Sequence, residues 1–335
     1  MKQAVFIVSL LIVVALAGSA WWFWQDMQSY LRTPLQLDND VIFTINPGDN
    51  LQSVGRDLRQ AGWLSHPHYL ILEAKRQGKD ARIKAGEYLL RPGTTPLQLL
   101  DQFIEGKVIQ YALTLVEGWT FREALAAIRD QEALVKTLDY NADDQAIMAS
   151  LGYPETHPEG RFFPDTYHFP RGITDKQFLL RAFRRMEKVL SEEWENRVEN
   201  LPYQSPYEAL IMASIIEKET GVAHERGKIA GVFVRRLQKG MLLQTDPTVI
   251  YAMGTNFDGN IRKRDLSIDS PYNTYRYAGL PPTPIALPGR DAIHAALHPE
   301  EGSALYFVSK GDGSHHFSDT LREHNNAVNK YQLGE

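Results

Sequence analysis

The chain of 335 residues contains no cysteine. That excludes disulfides, thiolate metal sites, a cysteine nucleophile and a lipid-modified N-terminal cysteine. Positive charge is also in short supply: 36 Lys and Arg stand against 41 Asp and Glu, a formal net charge of -5. Nucleic-acid binding rests on neutralising phosphates, so this balance gives no case for it. The ten histidines are scattered without a His-Glu-x-x-His spacing. Neither a resident metal nor any other cofactor is expected.

In one stretch charge is missing altogether. No charged residue occurs from Gln3 to Gln25, and Ala4 to Trp24 is almost wholly apolar. That run is about 21 residues long, and as a helix it would span ~30 Å, the thickness of a bilayer core. Trp21, Trp22, Phe23 and Trp24 cluster at its far end, where an aromatic belt belongs. Lys2 and the N-terminal amine lie on the other side, so the positive-inside rule puts the N-terminus in the cytoplasm and the body outside the cytoplasmic membrane. A cleaved signal peptide with Gly18-Ser19-Ala20 as its small-residue site is the competing reading; either way the body is exported. Residues 1–25 are therefore read as a transmembrane anchor and residues 26–40 as a juxtamembrane stalk.

The remainder of the chain is long enough for two domains, or one domain with smaller modules. The expected class is α+β. Phe43 and Ile45 alternate as a strand before the Pro47-Gly48-Asp49 turn. Asn50 can cap a helix carrying Leu51, Val54 and Leu58, stopped by Gly62. Pro67 sits at the first position of a second helix that ends by Gly78, and Ile83 to Leu90 reads as a strand. Thr95-Pro96 opens a helix with Leu97, Leu100 and Ile104 inward and Gly106 as its stop. A strand from Ile109 to Val116 and a capping box at Thr120–Glu123 come next, then a helix from about Lys176 to Arg197. The β-α-α-β part resembles a LysM-like module, a small fold used to hold glycans containing N-acetylglucosamine. A small cap that binds nothing fits the same pattern.

Chemistry concentrates later. Ser205-Pro206-Tyr207-Glu208 is a capping box opening a helix from Leu210 to Thr220, which Gly221 can terminate. It is apolar nearly all round until Glu217 and Glu219 appear at its end. A carboxyl held against apolar neighbours has a raised pKa and can serve as a general acid. Helical spacing does not choose between the two acids, and solvated helix-end acids remain the plain alternative. A second helix runs from about Glu225 to Lys239. Around it lie loops that suit a sugar cleft: Glu159 to Tyr167, Leu243 to Thr248 with Asp246 held extended before proline, Ser270 to Tyr275, and Gly279 to Gly289.

Taken together, Ala213-Ser214-Ile215-Ile216-Glu217-Lys218-Glu219-Thr220, Leu243 to Tyr251, Tyr272-Asn273-Thr274-Tyr275 and Gly279-Leu280-Pro281-Pro282 resemble the YceG-like endolytic murein transglycosylases. Glu159-Gly160 with Phe162, Pro164, Asp165, Thr166 and Tyr167 fits the same family, as do His298-Pro299, Leu305 to Val308 and His315 with Phe317. The resemblance covers the whole chain. It implies a LysM-like module with a following helix over residues 41–106, a catalytic region over 107–335 with its core at 201–335, and a bacterial cytoplasmic-membrane location. It also implies Glu217 as the catalytic acid, and cleavage of the β-1,4 bond between N-acetylmuramic acid and N-acetylglucosamine inside peptidoglycan strands, leaving 1,6-anhydro ends. Gln244, Thr245, Asp246, Asn273, Tyr275, Glu159 and His315 are the expected substrate-binding residues, with Glu219 as a possible orienter. Membrane-bound peptidoglycan synthases are the expected partners. Two rivals stand beside this reading: a lysozyme-like hydrolase pairing Glu217 with Asp246 or Glu219, and a non-catalytic wall-binding scaffold.

Overall fold

The computed structural model describes residues 2–334. The chain divides into two compact units, residues 1–111 with 168–172 and residues 112–167 with 173–335. The architecture is mixed α+β, with short two-stranded sheets among twelve α-helices of the described residues.

The first unit begins with α1, a single helix from Lys2 to Arg32. Its apolar side chains from Val5 to Trp24 are exposed, and the helix is long and apolar enough to cross a membrane, a test that a signal sequence also passes. The helix does not stop at Gln25. Met27 and Leu31 are fully buried in the core of the unit, and Leu35 is buried with them. Tyr69 donates its hydroxyl to Asp26 at 2.6 Å, the His66 N–H reaches the Tyr30 hydroxyl at 2.9 Å, and the Leu35 N–H reaches the Thr94 carbonyl at 2.8 Å. Residues 26–35, part of the expected juxtamembrane stalk, are thus built into the unit: their apolar residues recur at helical spacing and find a core to bury in.

The rest of the unit is β1 (Val41–Ile45), α2 (Leu51–Gln60), α3 (Pro67–Arg76), β2 (Gly86–Leu90) and α4 (Pro96–Glu105). β1 and β2 pair antiparallel, Val41 opposite Leu90 and Ile45 opposite Gly86. The two-residue period turns Phe43, Ile45, Tyr88 and Leu90 inward. Asn50 and Thr95 cap α2 and α4 as read from the sequence, each in a capping box. Gly106 ends α4 in the left-handed region, φ 74°. The inward residues of α4 are Leu99, Leu100 and Phe103, with Leu97 and Ile104 only at the edge.

The chain passes between units within β3 (Tyr111–Thr114) and β4 (Thr166–Phe169), so the expected strand from Ile109 to Val116 is shorter than its apolar run. The second unit holds α5 (Phe121–Asp130), α6 (Asp144–Ser150), α7 (Asp175–Glu195), α8 (Pro206–Glu219), α9 (Arg226–Gln238), α10 (Asp246–Met253) and α11 (Arg290–Leu297). The hairpin of β5 (Tyr306–Ser309) and β6 (His315–Ser318) comes next, and then α12 (Leu321–Val328). Helix α8 is the axis of this unit. Ser205 caps it, and every residue from Ala209 to Ile216 is buried against α7, α9, α10 and α11. Each large aliphatic side chain so buried contributes about 1.5–3 kcal/mol. The helix ends at Thr220 in an extended conformation, φ -146° and ψ 134°, rather than at a left-handed Gly221. Asp246, expected to be extended, is the first residue of α10. Pro247 at the helix start lacks the N–H that would in any case be unpaired there.

Candidate active site

Successive helical residues are 100° apart, so Glu217 and Glu219 leave α8 on nearly opposite sides. Each therefore meets a different set of partners.

Glu217 faces the loop that leads into α11. The Ile285 N–H donates to Ser214 Oγ at 3.0 Å, and one turn later the Gly289 N–H donates to Glu217 Oε2 at 2.9 Å. Ser214 and Glu217 are three apart on one face of α8, and together they lay residues 285–289 along the helix. The Glu217 side chain is only 6% exposed, with Arg226 Nη2 lying 3.6 Å from its Oε1. Arg226 Nη1 also reaches Asp291 Oδ2 at 3.3 Å. Burial pushes the Glu217 carboxyl above its usual range; the Gly289 N–H and Arg226 pull it back, while Glu117 and Asp291 push it further up. The group is poised between two opposing sets of charges, which suits an acid that must give up a proton and then take one back.

Glu219 faces the other way. Thr245 Oγ1 donates to its Oε2 at 2.7 Å. Desolvation raises this carboxyl too, Asp246 raises it further, and Thr245 and His315 lower it. Around it the expected residues form one network. The Gln244 and Thr245 N–H groups reach Thr274 O and Oγ1 at 3.1 Å each, Thr248 Oγ1 lies 2.9 Å from Thr274 Oγ1, and Tyr275 donates to Asp246 at 2.6 Å. Gln244 has φ 52°, a left-handed conformation uncommon outside glycine. His315 binds Glu225 twice, through its N–H at 3.1 Å and Nδ1 at 2.8 Å.

Two expected binding residues are committed to the scaffold. Asn273 is fully buried; its amide donates to the Leu266 and Ile268 carbonyls and its oxygen accepts from the Tyr275 N–H. That leaves no free donor for a sugar. Glu159 is 4% exposed and accepts from the Phe121 N–H at 2.8 Å and the Tyr251 hydroxyl at 3.1 Å. Burial pushes its carboxyl up to about 7. It ties the start of α5 to α10 rather than lining a cleft.

One residue that the sequence reading did not select stands beside Glu217. Glu117 is exposed at a turn, and its carboxylate lies against the α-carbon of Gly289, where any Cβ would strike it. Its only sequence signal is an acid before Gly118-Trp119, one hundred residues from Glu217.

The YceG-like family matches residues 43–330. The chain belongs to that family. Among similar proteins, an endolytic murein transglycosylase of Bacillus subtilis is 33% identical over 90% of this chain and 88% of its own length. One from Streptococcus pneumoniae is 29% identical over 96% of this chain, which spans 64% of that longer protein. The crystal structure of a YceG-like protein from Listeria monocytogenes superposes with a TM-score of 0.56 at 32% identity, covering 86% of this chain and 99% of that one.

Proposed function

We propose that the protein is an endolytic lytic transglycosylase of peptidoglycan, held at the bacterial cytoplasmic membrane by α1 with its body on the outer side. The observation that carries the reading is Glu217: a nearly enclosed carboxyl with a raised pKa, held by a backbone N–H and an arginine, in a family whose named relatives are murein transglycosylases. Protonated Glu217 donates to the glycosidic oxygen of the N-acetylglucosamine leaving group, and the bond to C1 of the N-acetylmuramic acid breaks with oxocarbenium character. The Glu217 carboxylate, now favoured by Gly289 and Arg226, takes the proton from the muramoyl C6 hydroxyl as that oxygen closes on C1. A 1,6-anhydro ring forms, no water is consumed, and the acid returns to its starting state.

Gln244, Thr245, Asp246 and Tyr275 remain candidate substrate contacts, with Thr245 holding Glu219 as orienter. The β-α-α-β unit is the candidate glycan-holding module, and a membrane-bound synthase is the candidate partner at the same surface. Glu117, whose charge acts on Glu217, is a second carboxylate that a hydrolase could use and that the sequence reading did not select. Product mass separates the two chemistries. Full-length protein in detergent is incubated with isolated glycan strands; new ends lighter by one water support the transglycosylase, and reducing ends at every cut refute it.

A further inference from the structure

The loop before α11 carries a glycine whose backbone gives no reason for one. Gly289 has φ -75° and ψ 171°, an ordinary extended conformation open to any residue. The space that a side chain at 289 would take holds the Glu117 carboxylate, the far end of an exposed side chain. The same glycine donates its N–H to Glu217. Glu117 and Glu217 are therefore joined through one residue.

The turn holding Glu117 is fixed rather than draped. The Gly118 N–H donates to the Leu287 carbonyl at 2.9 Å, and the Leu287 N–H donates to the Trp119 carbonyl at 2.7 Å. Lys218, next to Glu217 on α8, reaches the Gly118 carbonyl at 3.2 Å. Three hydrogen bonds thus hold a short turn against residues 287–289 and α8. Glu117 itself is exposed and makes no contribution to the core. The same turn carries the chain from β3 into α5, and it holds the Glu117 carboxylate at Gly289.

Resting on the reading of Glu217 as the acid, we propose that Glu117 is a positioning residue: its charge, seated on Gly289, keeps the proton on Glu217 until the glycosidic oxygen arrives. The charged groups facing Glu217 are few. Arg226 from α9 favours the carboxylate, as does the Gly289 N–H at the start of α11. Asp291 from α11 opposes it but is tied to Arg226 and stands largely in solvent. Lys218 is turned to the Gly118 carbonyl, and Glu219 lies across the helix with Thr245. Glu117 thus offsets the arginine. Without it, burial and Asp291 alone oppose Arg226 and the backbone donor, and Glu217 gives up its proton to solvent at lower pH.

The test is the pH dependence of kcat/KM for full-length protein in detergent on glycan strands. A general acid must be protonated, so the alkaline limb reports its ionisation. In Glu117→Gln that limb is expected to move to lower pH by about half a unit, with the shift shrinking at high salt. Glu117→Asp keeps the charge and is expected to fall between wild type and Glu117→Gln. A Glu117→Gln profile with both limbs unmoved, whether or not its height falls, overturns the proposal, because a merely structural role lowers height alone. Glu217→Gln, run alongside, separates the two readings: full activity there removes Glu217 as the acid and this role for Glu117 with it. An inactive Glu217→Gln with an unmoved Glu117→Gln profile refutes the role of Glu117 alone.

Discussion

Replacing each of the two α8 glutamates by glutamine separates their roles. Glutamine keeps the length of the side chain and an oxygen that can accept from Gly289, so Glu217→Gln retains the 2.9 Å bond that lays the loop along α8. An orphaned Gly289 N–H would cost about 1–3 kcal/mol; because it is not orphaned, the unfolding midpoint is expected to hold to within about 1 kcal/mol of stability. What disappears is the proton. Positioned acid–base catalysis is worth about 10²–10⁴ in rate, and at about 1.4 kcal/mol per tenfold that is roughly 3–5.5 kcal/mol of barrier. Glu219→Gln likewise keeps an acceptor for Thr245 Oγ1 and removes no proton from the reaction, so its loss is expected to stay below about tenfold. The assay is the initial rate of strand shortening by full-length protein in detergent, read as glycan length distribution, with thermal unfolding of each variant measured in parallel. The reasoning is refuted by the reverse order: a folded Glu219→Gln that is dead beside a Glu217→Gln within tenfold of wild type.

Burial sets two further outcomes. Leu31 is fully buried, so Leu31→Ala is expected to destabilise the first unit by about 2–5 kcal/mol, seen as a lower unfolding midpoint or faster proteolysis; an unchanged midpoint would refute the packing of residues 26–35 into the core. Glu159 is held near 7 when folded against an ordinary 4.5, so between those values the unfolded chain loses its proton first and stability falls as pH rises. The loss is about 3 kcal/mol at about 1.4 kcal/mol per unit, and Glu159→Gln is expected to flatten the change in unfolding midpoint between pH 5 and pH 8; an unaltered slope counts against the assignment.

Local chemistry was the legible part of the fold. Asn50, Thr95, Thr120 and Ser205 all cap the helices assigned to them, because a cap depends only on residues three apart. The burial of α8 up to Ile216 was also readable from its unbroken apolar run. The stalk and α10 differ from expectation because the evidence for them is tertiary: Met27 and Leu31 need a core to reveal their face, and α10 buries only Thr248 and Val249. At the site, helical spacing could place Glu217 and Glu219 at one end of α8 but could not supply their neighbours. Glu117 is brought to Glu217 by two backbone bonds to Leu287, across a separation that no local pattern records. Asn273 looked like a sugar contact because it is polar and lies in a loop, yet it is fully buried and both of its amide donors are used in folding that loop.

The unbroken course of α1 joins the apolar helix to the first unit without a flexible link. With Trp21 to Trp24 at the lipid headgroups, the helix rises ~12 Å to Arg32, at 1.5 Å per residue, and is already locked into the unit by Met27 and Leu31. A flexible tether would let the unit sample a hemisphere of its own length. On the proposed reading of α1 as a membrane anchor, a rigid post would instead confine the unit to a thin layer above the bilayer, and the strands within its reach would be those lying closest to the membrane.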